Sequence, residues 1–349
     1  IIFGTANHDA GPPYAPVLSV PVAKANESWA IFGLGGDDKI TGGNKADFID
    51  GGGGNDTMNG GDGDDSFFVA ASTPANGYDS FNGGNGNDRI LSGDGSDIRV
   101  GSISSIEEIS SGGFSGVDLV TNPSAHVALD LSGTKLRGID LVYTSGATAN
   151  NVIHTSSDSD AAGGQAYRGG AGNDAFVFGS QDTRLLAYAA DNTGFDSYSG
   201  NGAATHTIIA QDDGTRIGLA GGYGGTNSVD VIDATGKAGV WIVGSDFVHD
   251  AWDLSGTQLK HIATVATGGG DDSVKTAVMH AGDGPITYDG GAYTHDHLTI
   301  SLTADQAVDT DVMADLAALT PGGGANGAVD AGGLNLTATG WETIDWVVV

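Results

Sequence analysis

The sequence predicts an all-β protein, a parallel β-roll or β-solenoid of short strands joined by Gly/Asp turns, with one short flanking helix. Three observations carry this prediction. Units of nine residues repeat between positions 33 and 68, and a longer motif recurs three times after position 100. The chain also contains 60 Gly among 349 residues, and only four of its 44 acidic residues are Glu, so most carboxylates are short side chains suited to turns.

The nine-residue units each combine a Gly-rich half with a short half built around one apolar residue. Glycine adopts the positive φ angles that tight turns require, and the alternation of side chains along a strand points the apolar residue inward. Each unit therefore predicts one turn followed by one short strand. In chain order the units are GLGGDDKIT (33–41), GGNKADFID (42–50), GGGGNDTMN (51–59) and GGDGDDSFF (60–68), with inward residues Ile40, Ile49, Met58 and Phe67.

An Asp stands at the sixth position of every unit, where the turn ends. Its carboxylate is expected on the same side as the glycine carbonyl groups, and hard oxygen ligands at this density suit Ca²⁺, which accepts about six to eight oxygens in flexible geometry. Mg²⁺ fits less well because it retains its water molecules. The predicted metal-binding residues of these units are Asp38, Asp47, Asp56 and Asp65 with Gly33, Gly42, Gly51, Gly54, Gly60 and Gly63.

The pattern resumes after an insertion at residues 69–76. In a roll, successive turns fall on alternate edges, so Asp38 is expected beside Asp56, and Asp47 beside Asp65. One ion between each neighbouring pair gives about five ions. Arg99 stands where an apolar residue is expected, which predicts that the stack ends near residue 100. The resumed units are GYDSFN (77–82), GGNGNDRIL (83–91) and SGDGSDIRV (92–100), which add Asp79, Asp88, Asp97, Gly83 and Gly86 to the predicted metal-binding residues.

The unit G-G-x-G-x-D-x-U-x resembles the calcium-binding nonapeptide of the RTX (repeats-in-toxin) family. The resemblance implies a β-roll that binds Ca²⁺, and export by the type I secretion machinery to the extracellular space or the cell surface. The ending Asp345–Val349, an acidic residue followed by hydrophobic ones, is similar to the ending of type I secretion substrates of this family. A plain edge strand has the same pattern, so this alternative stays open.

The longer motif predicts that the solenoid continues beyond residue 100. Its copies are LDLSGTKLRGIDLV (129–142), WDLSGTQLKHIATV (252–265) and LNLTATGWETIDWV (334–347). Apolar residues alternate and then skip around a Gly or Ala, which predicts a strand, a corner and another strand. Degenerate calcium-type segments follow the first two copies, at 169–177 with 194–199 and at 268–274 with 286–291, and in the first of these Asp174 and Asp196 are candidate metal ligands.

These patterns divide the chain into four predicted parts: an N-terminal strand or cap (1–32), the calcium β-roll (33–100), a solenoid continuation with degenerate turns (101–303), and a helix with C-terminal strands and the secretion signal (304–349). The helix is predicted over Ala304–Leu319 because Val308, Val312, Leu316 and Leu319 recur at helical spacing before Pro321. We expect it to cap or flank the solenoid.

Composition excludes several classes of protein. The formal charge of −31 leaves no basic surface for nucleic acid. The absence of Cys excludes disulfides and thiolate chemistry. No apolar run approaches the ~18–20 residues of a membrane-spanning helix, and the chain shows no cleavable N-terminal signal. Because it starts at Ile1 rather than Met, we expect it to be part of a longer precursor.

Catalytic motifs are absent from the sequence. It contains neither H-E-x-x-H nor G-x-S-x-G, the motifs of the RTX-associated proteases and lipases. The densest other cluster is His295-Asp296-His297 beside Asp289 and Tyr293, which offers two imidazoles to Zn²⁺ or Ni²⁺ without a third placed ligand. We therefore predict no enzyme activity for this chain.

Two functional classes remain. The first is an extracellular structural protein, similar to RTX-type S-layer subunits or adhesin segments, which folds and self-associates on binding Ca²⁺. The second is the noncatalytic calcium module of a larger secreted enzyme, such as a polysaccharide epimerase, lyase or hydrolase. We expect the first, because Gly, Ala, Ser, Thr and Asp are abundant over the entire length and catalytic motifs are missing.

Overall fold

The structure is a computed structural model. It describes residues 1–3, 17–19, 24–70, 77–124, 126–146, 150–191, 194–200, 204–224, 229–277, 285–291, 295–319, 327–329 and 336–349. The described chain forms two compact units: unit 1 comprises residues 1–170 and 179–183, and unit 2 comprises residues 171–178 and 184–349.

Nearly all regular structure is short β-strand. The first strands are β1 (Ile2–Phe3), β2 (Val17–Ser19), β3 (Ala30–Phe32), β4 (Lys39–Thr41), β5 (Phe48–Asp50), β6 (Thr57–Asp62), β7 (Ser66–Val69), β8 (Asp79–Asn85), β9 (Arg89–Ser92), β10 (Ile98–Ser104), β11 (Glu108–Ser110), β12 (Val117–Thr121), β13 (Ala128–Asp130), β14 (Lys135–Arg137), β15 (Ile139–Gly146), β16 (Val152–His154), β17 (Asp158–Ser159) and β18 (Gln165–Gly170). The later strands are β19 (Ala175–Phe178), β20 (Thr183–Ala187), β21 (Ser197–Gly200), β22 (His206–Ala210), β23 (Arg216–Gly218), β24 (Val231–Asp233), β25 (Trp241–Val243), β26 (Ala251–Asp253), β27 (Gln258–Lys260), β28 (Thr264–Ala266), β29 (Ser273–Ala277), β30 (Ile286–Asp289), β31 (His297–Leu302), β32 (Gly327–Val329), β33 (Leu336–Thr339) and β34 (Thr343–Val348).

Unit 1 is built from parallel sheets whose strands alternate along the chain. One sheet has the order β1-β3-β5-β7-β9-β11-β14-β17, and a second has the order β2-β4-β6-β8-β10-β12-β15-β18. Each Gly/Asp turn therefore crosses from one sheet to the other, and the next turn crosses back. Ile49 of β5 pairs in register with Ile31 of β3 and Phe67 of β7, so successive rungs stack their inward residues.

Unit 2 is also built from short strands. Two of its sheets run in the orders β23-β25-β28-β30-β33-β32 and β26-β29-β31-β34, and their strand pairs are parallel except β32 with β33. The predicted strand, corner and strand are found in the third copy, as β33 and β34. The first two copies contain three short strands each, β13 to β15 and β26 to β28. Leu131, Leu254 and Leu336, which occupy the same place in the three copies, are all buried.

The inward residues predicted from the nine-residue units form the core of the roll. Ile40, Ile49, Met58 and Phe67 are each at most 1% exposed. Phe67 packs edge-on against Phe81 of the next rung, with ring centroids 5.7 Å apart. The predicted all-β fold of parallel strands with one helix is thus confirmed.

The helix is shorter than the sequence predicts. A 3₁₀ turn at Gln306–Val308 precedes an α-helix, α1, over Thr310–Ala318. The helix begins there because the Asp309 side chain accepts hydrogen bonds from the backbone N–H groups of Asp311 and Val312. Val308 lies before this cap and is exposed, whereas Val312, Leu316 and Leu319 are buried. Among the described residues, no helix has the length and apolar character to span a bilayer.

Candidate calcium site

The Gly/Asp turns of unit 1 lie at two edges, one for each direction of crossing between the sheets. At one edge, Asp38, Asp56 and Asp79 stack; we call them the first ladder. At the other edge, Asp47, Asp65 and Asp88 stack, followed by Glu107; we call these four the second ladder. The expected stacking of each turn over the next turn but one is therefore observed.

Within each ladder, the backbone N–H group of one Asp donates a hydrogen bond to the carboxylate of the next acidic residue. The N–H group of Asp38 donates to Oδ1 of Asp56 at 2.8 Å, and that of Asp56 donates to Oδ1 of Asp79 at 2.9 Å. In the second ladder the N–H groups of Asp47 and Asp65 donate to Oδ1 of the next Asp, both at 2.7 Å. One carboxylate oxygen is thus fixed by the backbone, which aims the other oxygen into the turn.

The second ladder ends on a residue that the sequence pattern did not indicate. The N–H group of Asp88 donates to Oε2 of Glu107 at 2.7 Å. Glu107 lies in a segment without the Gly/Asp pattern, so no repeat marked it. The only available signal was the rarity of Glu, which occurs four times in the chain.

The second carboxylate oxygens are buried without hydrogen-bond partners. Among the described residues, Oδ2 of Asp56, Asp65 and Asp88 receives no hydrogen bond, and these side chains are at most 1% exposed. A buried, ionised oxygen without a partner is strongly destabilising. The ladders therefore require a proton or a cation at these positions.

Backbone carbonyl groups surround the same oxygens. A Cβ atom added to Gly42 would contact the carbonyl oxygen of Gly60 and lie 2.6 Å from Oδ2 of Asp47. One added to Gly60 would lie 2.6 Å from the carbonyl oxygen of Gly83 and contact Oδ2 of Asp65. The equivalent positions at Gly33, Gly51 and Gly83 are enclosed in the same way, each by the Oδ2 atom of its own turn. A side chain at these glycines would fill the space that the oxygens converge on.

The remaining predicted glycines allow the turns to approach each other. Gly54, Gly63 and Gly86 have φ angles of 127°, 116° and 148°, a region that side chains disfavour. A Cβ atom at Gly54 would contact the carbonyl group of Gly36 in the neighbouring turn. These glycines bring successive turns close enough to share oxygen ligands.

Burial strongly changes the acidity of the ladder carboxyls. It raises the pKa of Asp56 and of Asp65 to about 7, and that of Asp79 to about 8, with neighbouring carboxylates adding to the effect. Burial also raises the pKa of Asp47 and Asp88. Near neutral pH, protons and cations therefore compete for these sites.

The donor set fits Ca²⁺. Among the described residues, no three His, Asp or Glu side chains converge on one point. The carboxylate oxygens of these turns lie instead beside backbone carbonyl oxygens. Carboxylate and carbonyl oxygens in flexible loops match calcium, whereas Mg²⁺ demands octahedral geometry and retains water. The unpartnered Oδ2 atoms and adjacent carbonyl groups are the oxygens that would hold the ion.

Asp97 lies outside the ladders. Its carboxylate accepts a hydrogen bond from the N–H group of Asp118 at 3.2 Å and is only partly buried. The cause is strand alternation: Ile98, directly after Asp97, points inward and Arg99 points outward, whereas in the regular units the inward residue is the second one after the Asp. The first ladder thus ends at Asp79, before Asp97, whereas the second continues to Glu107, past the predicted end near residue 100.

The two candidate ligands of the degenerate unit do come together in unit 2. The N–H group of Asp174 donates to Oδ1 of Asp196 at 2.9 Å, the same contact as in the ladders. Burial holds the pKa of Asp196 well above its usual value. Tyr198 places its hydroxyl 3.5 Å from Oδ2 of Asp196.

The histidines considered for Zn²⁺ or Ni²⁺ do not share a ligand. His295 Nδ1 lies 3.3 Å from Oδ1 of Asp271, and His297 Nε2 lies 3.1 Å from Oδ2 of Asp345. Tyr293 lies outside the described residues. Both imidazoles therefore face separate carboxylates on the outside of the sheet.

Parallel rungs, stacked Asp ladders and carbonyl-lined turns define a calcium-binding β-roll. Comparison with protein families agrees: residues 32–67 and 75–98 match the model of the RTX calcium-binding nonapeptide repeat, in four copies. This part of the chain therefore consists of RTX repeats, and the predicted resemblance is confirmed. No curated protein and no solved structure matches the chain.

Proposed function

We propose that this chain is a secreted, noncatalytic structural protein that folds on Ca²⁺ outside the cell and assembles with copies of itself into a surface layer or filament. The observation that carries the proposal is the row of buried carboxylate oxygens without partners. A cytosol with little free calcium leaves them unpaired, whereas millimolar extracellular calcium saturates weak sites of this kind. The RTX repeats support export by the type I machinery, because that family is linked to it.

Assembly is proposed at the last strand of unit 2. β34 ends its four-stranded sheet, and Trp346, Val347, Val348 and Val349 are all exposed. Edge strands with apolar side chains pair readily with strands of another chain. At the other end of the sequence, Ile1 and Phe3 of the β1 segment are also exposed and offer a second apolar edge.

Calcium also reduces the repulsion between copies. The formal charge of −31 keeps molecules apart, and each bound ion cancels two charges. We therefore expect purified protein to remain monomeric in chelator and to form ordered sheets or filaments at about 5 mM Ca²⁺, above the millimolar Kd of extracellular calcium modules. Electron microscopy and light scattering measure this directly.

A truncation identifies the edge that assembles. Deleting Val347–Val349 should abolish assembly while circular dichroism still reports calcium-dependent folding. Val308→Ser removes a valine that is even more exposed but lies away from the edge, and it serves as the control, which should assemble normally. If the intact protein folds on calcium but stays monomeric, the chain is instead the calcium module of a larger secreted enzyme or adhesin.

A further inference from the structure

A third ladder lies in unit 2, beyond the RTX repeats. The N–H group of Asp250 donates to Oδ1 of Asp272 at 2.8 Å, and that of Asp272 donates to Oδ1 of Asp296 at 2.8 Å. The N–H group of Asp296 then donates to Oε2 of Glu342 at 2.9 Å. Three Asp residues followed by one Glu thus repeat the order of the second ladder.

The correspondence extends to the last rung. In the second ladder, the carbonyl oxygen of Asp88 accepts from the N–H groups of both Glu107 and the residue after it, at 3.0 and 3.2 Å. In the third ladder, the carbonyl oxygen of Asp296 accepts from Glu342 and the residue after it, at 3.2 and 3.1 Å. The last rungs of the second and third ladders therefore share the same backbone hydrogen-bond arrangement, although they lie in separate parts of the chain.

The third ladder also leaves buried oxygens without partners. Among the described residues, Oδ1 of Asp250 and Oδ2 of both Asp272 and Asp296 receive no hydrogen bond. The three side chains are at most 1% exposed. The basic groups nearby pair with other carboxylates on the outside of the sheet, as Lys275 does with Asp253 at 3.3 Å. The buried oxygens therefore still require a cation or a proton.

Carbonyl groups line these turns as they line the turns of unit 1. A Cβ atom added to Gly244 would contact both Oδ2 of Asp250 and the carbonyl oxygen of Thr267. Gly268 and Gly270 have φ angles of 93° and 151°, which match the positive angles of the glycines in the RTX turns. A Cβ atom at Gly270 would lie 2.6 Å from the carbonyl oxygen of Val248 and 2.8 Å from Oδ1 of Asp272.

We infer that Asp250, Asp272, Asp296 and Glu342 form a second calcium-binding stack in unit 2, with ligands completed by the carbonyl groups of the intervening turns. The donor set is the same as in unit 1, and flexible carboxylate and carbonyl oxygens favour Ca²⁺ over Mg²⁺. The inference rests on the proposed calcium-binding function and extends it to a part of the chain outside the RTX match.

The repeat pattern marks only the turn at 268–274 of this stack, and irregular spacing explains why it misses the other ligands. The turn from Gly244 to Asp250 has one residue more than the RTX turn, Thr267 replaces the first glycine of the next turn, and Glu342 follows Asp296 after 46 residues. The ligands are contiguous in space but not periodic in sequence.

Two matched double variants of the full chain test the inference. Asp272→Asn/Asp296→Asn removes two charges from the third ladder, and Asp65→Asn/Asp88→Asn does the same in the second. Asp271→Asn, at an exposed neighbour, is the control. Native mass spectrometry in calcium counts the bound ions. We expect each double variant to lose at least one ion relative to the control and the unmodified chain.

Deuterium exchange on the unmodified chain avoids any dependence on variant folding. Calcium should slow exchange of the backbone at 244–250 and 267–273, and this protection should persist in Asp65→Asn/Asp88→Asn. The inference is overturned if calcium leaves exchange there unchanged, or if the Asp272→Asn/Asp296→Asn protein is folded and retains every ion. Loss of ions from the second-ladder variant alone would leave the proposed function standing. A chain that binds no calcium at all would refute both.

Discussion

Residues 33–97 and residues 130–167 both bury polar side chains inside unit 1, but they satisfy them differently. Among the described residues of the second region, the buried polar side chains are neutral and each makes at least one hydrogen bond. The Thr134 hydroxyl donates to the carbonyl oxygen of Ile106 at 2.7 Å, and the Ser156 hydroxyl donates to that of Thr134 at 2.6 Å. Tyr167 accepts from the N–H group of Ser156 at 2.8 Å. In the Asp ladders, by contrast, Oδ2 of Asp56, Asp65 and Asp88 makes no hydrogen bond.

The difference teaches where the stability of each region originates. Neutral groups with complete hydrogen bonding stabilise their surroundings without any ligand. Buried carboxylates with an unpaired oxygen destabilise the fold until a cation neutralises them. The same parallel rungs can therefore be calcium-dependent in one region and calcium-independent in another.

Removing calcium should have the largest effect. An ion at 1,000 times its Kd stabilises the folded state by about 4 kcal/mol, and this contribution is lost in chelator. Deuterium exchange should show that residues 33–97 lose protection while residues 130–167 retain it. Equal loss of protection in both regions would mean that unit 1 unfolds as a single cooperative unit. That result would contradict the expected difference in calcium dependence between the two regions.

Acid should weaken calcium binding by the ladders. Because the pKa values of Asp56 and Asp65 are raised to about 7, protons occupy them as the pH falls from 8 to 6, and Kd should rise about tenfold per pH unit for each proton displaced. Calorimetric titration across this range measures the slope. A Kd independent of pH would show that ladder carboxylates are not ligands.

Calcium binding should strengthen as the pH rises, but without calcium the folding stability of the ladders should fall as the pH rises. A carboxyl whose folded pKa exceeds its unfolded value of 3.8 binds more protons in the folded state. The chelated ladders should therefore be most stable near pH 4 and lose stability as the pH rises to about 8, whereas residues 130–167 should change little.

Substitution within a ladder should separate its inner and outer members. Asp56 contacts both Asp38 and Asp79, whereas Asp97 contacts neither ladder. Asp56→Ala should weaken calcium binding by more than the roughly 10–100-fold that loss of an outer-shell partner costs, and Asp97→Ala should be close to neutral. Equal losses in calorimetry would contradict the observed stacking.

A methyl group in the ladder turn should be destabilising, and one in the neutral region should be harmless. Gly83→Ala places a Cβ atom against Oδ2 of Asp88 and the carbonyl oxygen of Ser105, which should lower the free energy of unfolding by about 1–3 kcal/mol. Gly133→Ala meets open space, so its effect should stay within about 0.5 kcal/mol. Denaturant unfolding in calcium compares the two.

Apart from the controls Asp97→Ala and Gly133→Ala, the smallest effect is expected in the neutral network. Thr134→Val removes the hydrogen bond to the carbonyl oxygen of Ile106 and should lower the free energy of unfolding by about 1 kcal/mol. The loss should be equal in calcium and in chelator. A larger loss in one condition would show that the network is coupled to the metal.

The sequence by itself determined the local structure of the roll. Glycine spacing fixed where the chain turns, and strict alternation fixed that Ile40 and Met58 point inward while Asp38 and Asp56 share an edge. These features depend only on backbone sterics and on a period of nine residues, both readable from the chain.

Tertiary structure alone decided which groups complete each ladder. Glu107 and Glu342 reach their partners because irregular rungs and insertions bring residues 19 and 46 positions apart into contact, distances that no period encodes. Asp97 is excluded by a one-residue change in alternation, and the helix begins at its Asp309 cap rather than at Ala304. Each outcome depends on how rungs of unequal length stack, and stacking is a property of the whole sheet rather than of one segment.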